Sequence, residues 1–228
     1  MAASNILIYK FILRTDLSCV QIIDKLEQQI LDETRFVIDD YSDTEISGTY
    51  IYSSIYKSVE YDFDTNSFQN ITRKKYVTTE FHINLEKNYM DVWGSSQNAS
   101  KIITALSIAI DNKAIIEPLE LDFLKIIEYL KETDNVIVGK TTATQVAFND
   151  GILADCTFDL SNYDNPFEII ERYKKNIDKI SIKWKCEDVY IGMLIFISGT
   201  IRIYRLRHSI NNKQLNMIYR MLECSGRR

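Results

Sequence analysis

From Lys179 to Lys185 every second residue is large and apolar, and every residue between is polar. Ile180, Ile182 and Trp184 alternate with Lys179, Ser181, Lys183 and Lys185. A two-residue period is what an extended strand needs to send one face into a core and the other away from it, and a helix cannot separate these residues that way. Similar runs occupy Ile6–Leu13, Arg35–Asp39, Ser47–Phe63, Lys75–Leu85, Tyr89–Trp93, Asn135–Phe148, Ile152–Leu160, Val189–Ile197 and Thr200–Leu206. Turns as short as Glu86-Lys87-Asn88 and Ser198-Gly199-Thr200 divide neighbouring runs. Connections this short suit antiparallel pairing, because parallel strands need a long crossover. With 14 Tyr, and with Ile and Thr frequent, the expected class is α+β with antiparallel sheets and flanking helices.

Helical periods separate the strands. Val20, Ile23, Leu26 and Ile30 align on one face of a first helix, with Asp16 placed to cap it. A second helix starts near Ser96 and aligns Ala99, Ile102, Ile103, Leu106 and Ile110. Leu119–Leu130, after Pro118, reads as a bridging helix. Asn165-Pro166-Phe167-Glu168 opens another: Asn can cap, Pro suits the first helical position, and Glu can close a capping box. Leu215, Ile218 and Leu222 face inward on a last helix from Asn212. A hairpin followed by a helix thus closes both the first and the second half, which suggests two similar halves, whether by duplication or by convergence on one α+β pattern. The expected organisation is 1–112 as the first half, 113–132 as a bridging segment, and 133–228 as the second half with a basic end.

Chemical signatures are sparse. Gly139-Lys140-Thr141 imitates the end of a phosphate-binding loop, but Asp134 stands where that loop needs its first glycine, so no nucleotide cofactor is expected. His82 and His208 are each isolated in a strand or strand end and read as surface or packing residues rather than catalytic ones. Glu60, Asp62 and Asp64 share one side of a strand and could hold a divalent cation in a metal-dependent nuclease. They run into Thr65-Asn66-Ser67, a turn, and the better reading is a solvated hairpin end with no metal. Cys19, Cys156, Cys186 and Cys224 have no paired spacing and read as reduced thiols of a cytoplasmic protein. No apolar run approaches the ~20 residues of a membrane span, so a membrane is not an expected partner.

Charge points towards binding rather than catalysis. Residues 172–228 carry 13 Lys/Arg and 4 Asp/Glu, a net of +9, whereas residues 1–171 carry −14. Such segregation costs self-repulsion that an acidic neighbour would relieve. Strand alternation gathers Lys179, Lys183, Lys185 and Arg202 with Tyr190, Phe196 and Tyr204 on one sheet face, a candidate surface for nucleic acid or an acidic partner. In the first half Tyr50, Tyr52, Tyr56 and Tyr76, with Glu80 and His82, are expected to share a face suited to a protein interface. The resulting expectation is a non-enzymatic binding or assembly protein whose partner is another protein subunit. A nucleic-acid binder using the Lys/Tyr face is the second reading, and a nuclease built on the carboxylate row is the third. Frequent Ile, Lys, Asn and Tyr fit an AT-rich genome and a bacterial or phage multi-protein system.

Overall fold

The structure is a computed structural model describing residues 3–29, 33–147, 151–186 and 188–225. It is α+β, with eleven strands and five α-helices among those residues. The chain divides into two compact units. The N-terminal unit comprises Phe11–Val92 and Ser96–Ile115; the C-terminal unit comprises Met1–Lys10, Trp93–Ser95 and Ile116–Arg228. Strands β1 (Ser4–Leu13), β5 (Tyr89–Trp93) and β6 (Ala114–Pro118) each run from one unit into the other.

In the N-terminal unit β2 (Thr34–Tyr41), β3 (Glu45–Asp62), β4 (Ser67–Asn84) and β5 lie side by side, with β2–β3 and β3–β4 antiparallel. Helices α1 (Cys19–Gln28) and α2 (Ser96–Ala109) pack on this sheet and on each other. The buried stripe of α1 is Cys19, Ile22, Ile23 and Leu26: Ile23 and Leu26 are buried as expected, whereas Val20 is exposed. The cap also differs from the expected one. Ser18, not Asp16, starts the helix: its hydroxyl accepts from the Gln21 amide, and the Gln21 side chain accepts from the Ser18 amide, a closed capping box. Ile30 lies outside the described residues. On α2 the expected Ala99, Ile102, Leu106 and Ile110 are buried as read, with Ile103 only half-buried.

In the C-terminal unit the strand order is β1-β11-β10-β9-β7-β8, with β7 Val136–Ala147, β8 Leu153–Asp159, β9 Ile177–Cys186, β10 Val189–Phe196 and β11 Thr200–Ile203. Every neighbouring pair in this order is antiparallel. Helices α3 (Phe123–Glu132), α4 (Pro166–Tyr173) and α5 (Asn212–Ser225) join the core formed by Ile180, Ile182, Trp184, Ile191, Met193, Ile195, Ile201 and Ile203. The bridging helix begins four residues later than its period suggested, because Asp122 caps it by accepting from the Leu124 amide. Leu119 and Leu121 are extended instead: their amides donate to the carbonyls of Ile8 and Ile197. Pro166 opens α4, but the Asn165 side chain makes no cap bond. Both units contain a hairpin followed by a helix, β4–β5–α2 and β10–β11–α5.

Candidate functional site

The site follows from the register of β9, β10 and β11. Val189 pairs with Cys186, so odd residues of β9 sit opposite even residues of β10: Lys179 faces Phe196, Lys183 faces Gly192, and Lys185 faces Tyr190. Arg202 of β11 faces Leu194, which faces Ser181, and on its other side Arg202 faces Asn5 of β1. The alternation therefore sends Ile180, Ile182, Trp184, Ile191, Met193 and Ile195 under the helices and the cationic set to the opposite face. Lys179, Lys183, Lys185, Tyr190, Phe196, Arg202 and Tyr204 all share that face. Ile197, expected in the core, is 39% exposed because it lies past the end of β10, in the turn to β11. That strand stops at Ile203, so Leu206 is also outside it and exposed.

Local contacts shape the face. The Lys179 ammonium lies 5.9 Å from the Phe196 ring centre, a cation–π distance. Arg202 Nε donates to Asn5 Oδ1 at 3.2 Å, holding the guanidinium across β1. Gly192 makes room for Tyr204: a Cβ there would stand 3.3 Å from the ring, and the Tyr204 amide donates to the Gly192 carbonyl at 2.9 Å. Tyr190 remains 49% exposed and Tyr204 40%. None of Lys179, Lys183 and Lys185 forms an ion pair among the described residues. Lys183 and Lys185 stand about 7 Å apart on the strand, so in water they repel by about 0.6 kcal/mol, and Lys179, four residues from Lys183, adds about half as much. On the neighbouring β8 edge Asp155 accepts from the Gln145 amide and Asp159 from Ser161.

The tyrosine set of the N-terminal unit does not form one face. The register of β3 with β4 pairs even residues with odd ones, Tyr50 with Thr79, Tyr52 with Val77 and Tyr56 with Arg73. Tyr76, Glu80 and His82 therefore project from the face opposite Tyr50, Tyr52 and Tyr56. Tyr50 and Tyr52 are buried. Tyr50 packs 4.7 Å from the Phe36 ring. The Tyr52 hydroxyl donates to Asn98 Oδ1, with the Lys101 ammonium 4.0 Å over its ring. Burial pushes both phenols up in pKa. Only Tyr56 and Tyr76 are open to a partner, 40% and 65% exposed, and they point opposite ways.

One polar cluster was not legible as a site. His82 Nδ1 shares a 3.1 Å hydrogen bond with Asp91 Oδ1, and its Nε2 stands 4.0 Å from Glu45 Oε1. Asp91 is fully buried, and Asn84 ties the group down by donating to Glu45 Oε1 and accepting from the Lys87 amide. Burial opposes charge on His82, but the Asp91 hydrogen bond and the carboxylates of Asp91 and Glu45 prevail and raise its pKa. Both ring nitrogens face carboxylates, which makes the group a polar clamp between β3, β4 and β5 that is ion-paired when His82 is protonated. The signal was Asp91 itself, a lone carboxylate in the apolar strand Tyr-Met-Asp-Val-Trp.

The carboxylate row is occupied by local bonds. Glu60 pairs with Arg73 at 2.7 Å, while Asp62 accepts from the Asp64 amide, the Thr65 amide and Gln69 Nε2. Among the described residues no group of three or more His, Cys, Asp or Glu is placed to hold a metal. Gly139-Lys140-Thr141 lies inside β7 at a bulge, with Thr141 buried, and no loop surrounds a phosphate there. His208 is exposed in a short 3₁₀ turn. Cys19, Cys156, Cys186 and Cys224 are free thiols. Among the described residues no helix is long and apolar enough to cross a membrane. The chain matches no protein-family model and no curated protein sequence.

Proposed function

We propose that the chain is a non-enzymatic binding and assembly protein whose C-terminal unit docks an acidic surface of another protein subunit. The observation that carries this reading is the open sheet face. Its three helices pack into the core beneath the sheet, and the other side presents Lys183, Tyr190, Arg202 and Tyr204 to solvent around lysines that form no ion pair among the described residues. Aromatic rings and Arg beside half-exposed Leu194 and exposed Ile137 make a surface with the composition of an interface centre. A second reading, single-stranded nucleic acid, is favoured by the exposed Tyr190 and Tyr204 rings, which could stack on bases while the lysines meet phosphates.

Replacing Lys179, Lys183 and Lys185 together with Gln tests both. The triple variant is expected to keep its melting temperature, since none of the three is ion-paired among the described residues. It should lose its partner in a pull-down from native cells, and the residual binding should lose its salt dependence. A wild-type complex that survives nuclease supports the protein partner, and one that collapses supports nucleic acid. Unchanged binding by the triple variant would refute the docking role of this face.

A further inference from the structure

The N-terminal unit carries a feature that the docking face does not use. Beyond Tyr52 the Ser53 amide still donates to the Glu33 carbonyl, and β5 is five residues long, so, among the described residues, 54–62 and 67–75 pair only with each other. They form a two-stranded ribbon nine residues long, about 30 Å at the usual rise, beyond the sheet to which α1 and α2 pack. Its two faces differ. One pairs Tyr56 with Arg73, Ser58 with Ile71 and Glu60 with Gln69, and it is laced by the Arg73–Glu60 ion pair and by Lys75 over Tyr56. The other presents Ile55, Val59, Tyr61, Phe63, Phe68 and Tyr76, with exposures of 69%, 66%, 40%, 88%, 74% and 65%. Tyr61 stands edge-on to both Phe63 and Phe68 at 5.1 Å, so the rings form one continuous cluster at the tip.

We propose that this apolar face is covered by the same face of a second copy of the chain, two ribbons packing antiparallel about a two-fold axis. Area is the first argument. With side chains of roughly 150–250 Å², those exposures leave about 750 Å² of apolar surface, close to the ~800 Å² each partner contributes to a stable interface. A monomer seldom leaves so large an apolar patch in water. Symmetry is the second: a two-fold brings the same patch of both copies together, so the apolar face needs no separate complementary surface. The tip beyond that face carries Asp62 and Asp64. The same tip carboxylates disfavour an anionic membrane or a nucleic acid, because Phe63 and Phe68 could enter neither without bringing Asp62 and Asp64 along.

The test is the mass of the full chain in solution by light scattering at tens of micromolar. The wild type should run at twice the 26.6 kDa chain mass. Val59→Lys with Phe68→Lys should weaken association about a hundredfold without changing the circular dichroism spectrum, since both side chains are already exposed. Tyr56→Lys, on the other face, should leave the dimer intact. As a second measurement, Val59→Cys in a Cys224→Ser background should form an interchain disulfide on mild oxidation, and Ser58→Cys in the same background should not. A monomeric wild type overturns the proposal, including one that binds vesicles, nucleic acid or another protein through these residues. So does a dimer indifferent to the Val59/Phe68 pair.

Discussion

Gly199 offers a sharp test of the C-terminal unit, because β11, which carries Arg202, depends on the turn it forms. Its φ is +82°, in the left-handed region that an L side chain adopts only at a cost. A Cβ at this position would stand 2.1 Å from the Leu119 carbonyl oxygen and 3.3 Å from that of Ile8. Both neighbours are backbone held by hydrogen bonds: the Ile8 amide donates to the Gly199 carbonyl, and the Leu119 amide donates to the Ile8 carbonyl. Gly199→Ala should therefore combine about 1 kcal/mol of conformational strain with about 2 kcal/mol for displacing packed backbone. Gly151, at φ +75° with nothing within 4 Å of a built Cβ, isolates the first effect, so Gly151→Ala should cost only about 1 kcal/mol. Trp93 and Trp184 are the chain's two tryptophans and both lie in the C-terminal unit, so indole fluorescence in a urea titration follows its unfolding. A destabilisation of about 3 kcal/mol lowers the melting temperature by about 10 °C in a protein of this size. Equal urea midpoints for the two alanine variants would refute the steric account of this turn.

Two further perturbations probe the N-terminal unit. The raised pKa of His82 means that its protonation favours the folded state, a stability fully present below the unfolded value near pH 6.5 and lost as pH rises through the folded value. The stability gap between wild type and His82→Gln, followed by far-ultraviolet circular dichroism, should therefore narrow as pH rises; a gap that widens with pH would contradict the clamp. Asp62 is held low in pKa by the Asp64 amide, then by Thr65, and an Asn in its place keeps an acceptor oxygen for those donors. Asp62→Asn with Asp64→Asn should leave the spectrum and partner binding unchanged, and a magnesium- or manganese-dependent nuclease abolished by this pair would make the carboxylate row a catalytic site after all.

Alternation was legible wherever apolarity alone separates two faces. In Lys179–Lys185 isoleucine and lysine leave no doubt, and the same contrast orients β10, so the cationic set assembled as read. Tyrosine carries no such contrast. Its ring suits a core and its hydroxyl suits a surface, so Tyr50, Tyr52 and Tyr76 cannot announce which side they take. Register decides instead, and register depends on the number of residues in the turn. Four residues separate Asp62 from Ser67, which pairs even positions of β3 with odd positions of β4 and parts the tyrosines. Four also separate Asn84 from Tyr89, and the same count sets His82 across from Asp91, where the 3.1 Å bond is found.

The ribbon stayed hidden for a related reason. Thr72-Arg73-Lys74-Lys75 reads as a polar connection, and a strand beginning at Lys75 leaves nothing to pair with Val59 or Tyr61. Those charges belong to an extended strand whose neighbours across β3 neutralise or cover them: Arg73 meets Glu60, Lys75 lies over Tyr56, and Lys74 reaches Glu33. Satisfying the cations this way leaves Phe68 and Tyr76 as the apolar contribution of β4, on the same side as Ile55, Val59 and Tyr61. Two strands joined to nothing else have no inner side, and an isolated pair is marginal in water. An amphipathic ribbon that ends in three clustered rings is therefore not complete as a fold by itself. Its polar face is laced by the Arg73–Glu60 ion pair, and its apolar face has the area to be closed by a copy of itself.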